Sequence, residues 1–145
     1  LADGNGKKIL LVGHDYCIHD DYIGKPILRA LNGYGVTVID ANLTDRKKAQ
    51  NDFLKLSDGT LPWIVSRELL GGIVRYKGRV DGIVLLTGFP CGPDSIVNDV
   101  IKREIDDLPV LYLLLDGQDG MAGVETRIES FIDVLSFWNA GVARQ

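Results

Sequence analysis

The sequence is poor in the features that mark several classes of protein. Its 145 residues include only two cysteines, too few for a disulfide framework, which favours a reducing compartment. The net charge is −4, which argues against a nucleic-acid partner because phosphate-binding domains normally carry a basic face. No run of about 18 apolar residues occurs. We therefore expect no membrane partner and a cytoplasmic location.

Methionine is also scarce. The only one is Met121, and the sequence begins with the linker-like stretch Leu-Ala-Asp-Gly-Asn-Gly. We therefore expect residues 1–145 to be a single α/β domain, the C-terminal lobe of a longer polypeptide. A chain of this length can bury about 70% of the surface that it exposes when unfolded, which is enough for one core.

Short apolar runs separated by helical patterns dominate the rest of the chain. Four runs predict strands: Lys8–Val12, Val36–Ile39, Ile83–Leu86 and Pro109–Leu115. Between them we expect helices at Tyr22–Tyr34, at Asp45–Leu56 and from Thr60 to Gly71-Gly72 or a little beyond. A helix after the third strand is predicted from the helical spacing of Ile96, Val100, Ile101 and Ile105. The last helix is predicted to bury Val124, Ile128, Phe131, Ile132, Leu135 and Trp138.

This alternation predicts a three-layer, flavodoxin-like α/β domain around a four-stranded parallel sheet. Right-handed crossovers favour the strand order 2-1-3-4, in which the winding direction reverses between strands 1 and 3. Ligands of such sheets bind beyond the carboxyl ends of the strands at the reversal. In this chain the two loops concerned follow Val12 and Leu86, and they carry both cysteines and both histidines.

The loop after the third strand, Gly88–Ser95, presents the thiol of Cys91. Pro93 suits the first turn of a helix, and Asp94 and Ser95 suit its electropositive end. A cysteine just before such a helix is biased toward the thiolate, which ligates iron or attacks electrophiles. The alternative is a buried cysteine in an ordinary turn.

Other chemistries have weaker signals. A Cys17–Cys91 redox pair lacks the Cys-x-x-Cys arrangement, and the Gly88–Ser95 loop lacks the glycine patterns of phosphate-binding loops. An acidic and histidine-containing segment offers ligands for a divalent cation, or simply a solvated loop with helix-capping aspartates. That segment contains His14, Asp15, His19, Asp20 and Asp21.

Three segments resemble signatures of one family. Phe89-Pro-Cys-Gly-Pro-Asp-Ser95, followed by Leu111 to Asp116 and Ala122-Gly-Val-Glu-Thr-Arg-Ile-Glu-Ser-Phe131, resembles the motifs Phe-x-Cys-Gly-Pro-Asp-Ser and Ala-Gly-Val-x-Thr-Arg-Leu-Glu-Ala-Phe. These motifs are typical of acyl-CoA dehydratase activase-related proteins, in the 2-hydroxyacyl-CoA dehydratase and benzoyl-CoA reductase superfamily. The segment from Gly13 to Ile23 is similar to the Gly-His-Pro-Tyr-Asn region of that family, with Asp15 and Cys17 in place of its proline and asparagine.

The resemblance implies a function in electron transfer. In that family, cysteines from different flavodoxin-like lobes hold a [4Fe–4S] or double-cubane iron–sulfur cluster. An ATP-dependent activase reduces the cluster, which supports radical chemistry on CoA thioesters. The resemblance implies that Cys91 is a cluster ligand, with Cys17 as a weaker candidate. Because a [4Fe–4S] cluster usually takes four thiolates, the other ligands are expected in a remaining lobe of the parent polypeptide. The isolated domain should then hold no cluster and be inactive.

The same resemblance extends the cofactor-binding set to His14, Tyr16, Gly92 and Arg127. His14 and Tyr16 would donate hydrogen bonds to cluster sulfur or to a substrate carbonyl, or else pack against the sheet edge. Arg127 would pair with an anionic group in the cavity, or with a carboxylate such as Glu104 or Asp106. Two other functions are compatible with the sequence: a flavin- or nucleotide-binding module, and a scaffold lobe that binds nothing itself.

Overall fold

Four parallel strands form the centre of the structure, a computed structural model that describes residues 4–43, 48, 64–88, 92–115 and 120–142. The strands are β1 (Lys8–Gly13), β2 (Thr37–Asp40), β3 (Gly82–Thr87) and β4 (Val110–Leu114). The helices are α1 (Asp15–Ile18), α2 (Gly24–Gly33), α3 (Ile64–Tyr76), α4 (Gly92–Glu104) and α5 (Met121–Val142). Short 3₁₀ turns follow β2 at Ala41–Leu43 and α3 at Lys77–Arg79.

The order of the strands is β2-β1-β3-β4, as predicted from the sequence. All three pairings are parallel, and β1 lies beside β3 with Ile9 opposite Gly82 and Gly13 opposite Leu86. The winding direction therefore reverses between β1 and β3. The domain is a flavodoxin-like α/β fold.

The core consists of two apolar layers, one on each face of the sheet. Because successive side chains of a strand point to opposite faces, the continuous apolar runs of β1 and β3 supply both layers. One layer packs against α1, α2 and α5 and contains Ile9, Leu11, Val84, Leu86, Ile27, Leu31 and Ile128. The other packs against α3 and α4 and contains Leu10, Val12, Ile83, Leu85, Leu70, Ile73 and Ile101.

The third helix extends further than its glycines suggest. It continues through Gly71 and Gly72 to Tyr76. Both glycines are buried, and Leu70 and Ile73 on either side of them pack in the core. Burial of this face outweighs the loss of roughly 1 kcal/mol of helix propensity that each glycine causes relative to alanine.

Two predicted core positions are wrong. Ile96 on α4 and Trp138 on α5 are each 38% exposed, whereas most of the other residues predicted for these helix faces are buried. Ile96 follows Ser95, a residue of α4 that lines a cavity at the strand ends. Trp138 lies near the end of a 22-residue helix, whose length of about 33 Å exceeds that of a six-residue strand, about 20 Å.

The helix predicted at Asp45–Leu56 lies, apart from Lys48, outside the described residues, as do Thr60 and Pro62. Among the helices that the structure does describe, none combines the length and the apolar character needed to cross a bilayer.

The entry to α2 depends on the lack of a side chain at Gly24. A Cβ atom placed there would lie 1.8 Å from the carbonyl oxygen of Ile18, a backbone atom that cannot move independently of α1. Gly24→Ala should therefore lower the free energy of unfolding by about 2–3 kcal/mol. Chemical denaturation monitored by circular dichroism measures this change.

Gly33, at the other end of the same helix, is a matched control. No atom lies within 4 Å of the position of its missing Cβ. Gly33→Ala should leave the stability unchanged or raise it by up to about 1 kcal/mol, because alanine restricts the unfolded chain. Equal losses in the two variants would show that helix entry is not under this steric constraint.

Candidate functional site

The loops after β1 and β3 meet at the carboxyl edge of the sheet. The sulfur of Cys17 lies 3.1 Å from the position that a Cβ atom would take on Gly88. The ring of Tyr16 approaches the same position to 3.9 Å. The structure thus brings the loop that contains His14, Tyr16 and Cys17 against the end of β3, as the predicted winding reversal requires.

The structure describes Cys17 but not Cys91. Cys17 belongs to the one-turn helix α1 and is fully buried, so its sulfur packs in the interior beside Gly88. Cys91 lies outside the described residues, as does any redox pairing of the two. In the sequence Cys91 directly precedes Gly92, the first residue of α4. The ligand role of each cysteine remains a prediction.

His14 and Tyr16 form a stacked pair at this edge. Their ring centroids are 5.4 Å apart and the ring planes differ by 8°. Tyr16 is 65% exposed, whereas His14 is half-buried and lines a narrow cavity of about 10 Å³. The remaining residues that line this first cavity are Gly13, Leu69, Leu85, Leu86, Thr87 and Asn98.

A second, wider cavity of about 250 Å³ adjoins the first. It is lined by Thr87, Ser95, Asn98, Tyr112, Leu113, Leu114 and Arg127. Thr87 and Asn98 line both cavities, so the two are neighbours at the strand ends. We call the two cavities together the strand-end crevice. It places His14 near one end and Arg127 near the other.

Arg127, from α5, contributes the positive charge of the wider cavity. Its guanidinium donates a hydrogen bond to the main-chain carbonyl of Tyr112. The N–H group of Leu115 donates a hydrogen bond to the carbonyl of Thr87 at 2.8 Å, so the main-chain groups of Leu115 point toward β3. Since alternate residues of a strand face opposite edges, the carbonyl of Tyr112 lies on the outer edge of β4. Arg127 therefore covers part of that edge.

The carboxylate pairing predicted for Arg127 is tested only in part. No salt bridge joins Arg127 to Asp106 or to any other carboxylate whose side chain the structure describes. The side chain of Glu104 is outside that description. A pairing with Glu104 and an anionic group in the cavity both stay open.

The acidic and histidine-containing segment is engaged in structural contacts. Asp20 accepts hydrogen bonds from the N–H groups of Tyr22 and Ile23, just before α2, at 2.8 and 2.9 Å. The ion pair of Asp21 with Lys25, through its hydrogen bond and its charge, holds the pKa of Asp21 below its usual value.

The remaining histidine of this segment also has partners. His19 Nε2 lies 3.3 Å from a carboxylate oxygen of Asp15 and 3.3 Å from one of Asp40. Within the part of the chain that the structure describes, no group of three or more potential ligands could hold a metal ion. These contacts favour the interpretation of the segment as a capped, solvated loop.

Three residues of the strand-end crevice were missed by sequence reasoning. Thr87 is the polar residue that ends the apolar run of β3, and this change in polarity is a signal that could have identified it. Asn98 and Tyr112 carry no such signal. Burial, and secondarily the charge of Asp99, raises the pKa of the Tyr112 phenol above its usual value.

The contacts of Asp20 predict a specific loss of stability. Asp20→Ala removes the acceptor of two main-chain N–H groups and should lower the free energy of unfolding by about 1 kcal/mol. Asp21→Ala, the matched control, removes only an exposed ion pair and should have a smaller effect. Denaturant titration measures both. A larger loss for the Asp21 variant would contradict the assignment of Asp20 as the capping residue.

Comparison of the chain with protein-family models, with curated proteins and with solved structures finds no match.

Proposed function

We propose that this chain is the iron–sulfur-cluster-supporting lobe of a protein related to the 2-hydroxyacyl-CoA dehydratases and their activases. In this proposal Cys91 ligates the cluster and the full assembly transfers electrons at low potential. The observation that carries it is the meeting of the two predicted loops at the winding reversal, with α4 beginning directly after Cys91.

Electrostatics supports a thiolate ligand at this position in the sequence. A 13-residue helix has a partial positive charge at its N-terminus, and Gly92 is the first residue of α4. That charge favours thiolate over thiol and stabilises the additional electron of a reduced cluster. Gly92 also presents no side chain that would obstruct a cluster near the start of the helix.

The ligand count requires a partner. The sequence contains two cysteines, and the one that the structure describes, Cys17, is fully buried. The described residues therefore do not form a cluster site by themselves. A four-thiolate cluster requires ligands from another lobe. We propose an assembly of that lobe, an ATP-dependent activase as electron donor and a CoA thioester as substrate, in the cytoplasm. The isolated chain would be inactive.

The stacked pair of His14 and Tyr16 supports a polar environment beside such a cluster. Tyr16 is largely exposed and has a hydroxyl donor, and His14 lines the first cavity with its imidazole half-buried. In the proposal these two groups donate hydrogen bonds to cluster sulfur or to a substrate carbonyl. Such bonds raise the reduction potential of a cluster, because they stabilise its more negative state.

A scaffold lobe is the second candidate, favoured by one observation. The last turns of α5 expose apolar side chains, with Phe137 77% and Val134 45% accessible. Exposed apolar surface of this kind is typical of contacts with another domain. A scaffold would use this face to pack against a partner and would bind no iron. The iron content of the assembly distinguishes the two candidates.

The decisive experiment measures iron in the assembly that contains this chain, purified without oxygen. Cys91→Ser should reduce iron and acid-labile sulfide by at least about half, because serine replaces a thiolate ligand. Cys17→Ala is the matched control. Its sulfur packs in the interior, so we expect iron binding to persist in the folded fraction.

Circular dichroism of each variant establishes that the loss of iron is not a loss of fold. Undiminished iron in a folded Cys91→Ser protein would exclude Cys91 as a ligand. An assembly that contains no iron in its wild-type form would favour the scaffold candidate.

A further inference from the structure

A buried hydroxyl in the strand-end crevice has no hydrogen-bond partner among the residues that the structure describes. Thr87 is only 7% exposed, and it is the one polar residue in the core among those described. Within the described part of the chain its side-chain hydroxyl makes no hydrogen bond, although its main-chain carbonyl accepts one from Leu115 N–H. Buried polar groups nearly always have a partner in the protein, in bound water or in a ligand. A valine would fill the same space without leaving a polar group unsatisfied.

The position of Thr87 indicates what its partner is. It lies at the junction of the two cavities, which both include it in their walls. The wider cavity also contains the amide of Asn98 and the guanidinium of Arg127. These are hydrogen-bond donors from three different elements: β3, α4 and α5.

The charge of the wider cavity is positive. Arg127 is the one charged side chain among its lining residues in the described part of the chain, and no carboxylate lines it. The guanidinium has five N–H donors, and its bond to the carbonyl of Tyr112 leaves others available. Ser95, in the first turn of α4, lies where the helix N-terminus adds further positive potential.

Tyr112, Leu113 and Leu114 of β4 complete the lining. Because the side chain of Leu113 packs in the core layer on the other face of the sheet, the apolar surface comes from Tyr112 and Leu114. The volume of about 250 Å³ lies just below the roughly 300–1,000 Å³ that is typical of sites for drug-sized ligands. The cavity therefore suits a small molecule that combines an oxyanion with a short apolar body.

We propose that the wider cavity binds the carboxylate or phosphate group of a small organic anion, through Thr87, Asn98 and Arg127. The hydroxyl and the amide donate hydrogen bonds to the anion oxygens, and the guanidinium neutralises their charge. The apolar body of the ligand lies against Tyr112 and Leu114. This site uses no cysteine and requires no other lobe, so it is independent of the proposed cluster.

The test is a titration of the isotope-labelled 145-residue chain, followed by ¹H–¹⁵N NMR at constant ionic strength. The probes are n-butyl phosphate, n-butyrate and n-butylammonium, which share one apolar body and differ in their head group. Saturable shifts of the Thr87 and Asn98 signals are expected with at least one of the anions, in the millimolar range, and none with the cation. The anion that binds more tightly identifies the ligand as a phosphate ester or a carboxylic acid.

Three variants locate the binding. Thr87→Val and Arg127→Gln should each weaken binding by about tenfold, because each removes a donor to a charged acceptor. Arg103→Gln, which removes an exposed arginine from α4 outside the cavity, should leave the affinity unchanged. The melting temperature of Thr87→Val should not fall, since its hydroxyl has no hydrogen bond to lose within the described residues.

Several results would overturn the site. These are the absence of a saturable shift with both anions, an unchanged affinity in Thr87→Val and Arg127→Gln, or equal binding of the butylammonium cation. A fall in melting temperature of Thr87→Val without a change in affinity would assign Thr87 a structural role instead. The iron measurement has no bearing on these results, so either proposal can fail alone.

Discussion

The parallel pairing of β1 with β3 is the constraint on which the rest of the structure depends. It places Gly13 opposite Leu86, so the chain leaves the sheet at two adjacent points after these strands. Because crossovers are right-handed, the chain turns toward β2 on one side and toward β4 on the other. The loops that follow β1 and β3 therefore leave in opposite directions, and a depression remains between them. No other pair of strands in this sheet has that geometry.

The burial of β3 along its whole length has a further effect. Every residue of β3 is buried, so the strand can contribute a polar group to the crevice only at its end. Thr87 occupies that position. The glycine- and proline-rich stretch Pro90-Cys-Gly-Pro93 begins three residues later. Natural proteins tend to violate their packing rules where function requires it, and a buried threonine with no hydrogen-bond partner among the described residues is a violation of this kind.

The fold was predictable because few residues determine it. Apolar runs of four to seven residues with polar or glycine-containing boundaries identified all four strands, and the handedness of crossovers then gave their order. The extent of α3 was less predictable, since Gly71 and Gly72 weaken a helix locally and only the packing of the folded sheet compensates. The exposure of Trp138 depends on how far α5 extends past the strands, which its periodicity does not encode.

The site was predictable in part. Sheet topology places any residue that follows a strand at the carboxyl edge, and this argument located His14 and the loop of Cys17. Arg127 was named from the resemblance, whereas Asn98 required the register of α4 against the cavity. Registers of this kind depend on side-chain packing across the whole interface. The main-chain partner of Arg127 could not be derived from charge patterning, which considers only carboxylates.

The contact between Arg127 and the carbonyl of Tyr112 has one more consequence. Within the described residues β4 has a neighbour only on its β3 side, and a strand with an open side offers main-chain groups to any extended segment that it meets. The guanidinium of Arg127 is bonded to one of these carbonyls, so an N–H group of an incoming strand could not bond there. Its positive charge would also lose its water if a second sheet packed against this edge. A hydrogen bond of this kind disfavours pairing of the β4 edge with a second strand.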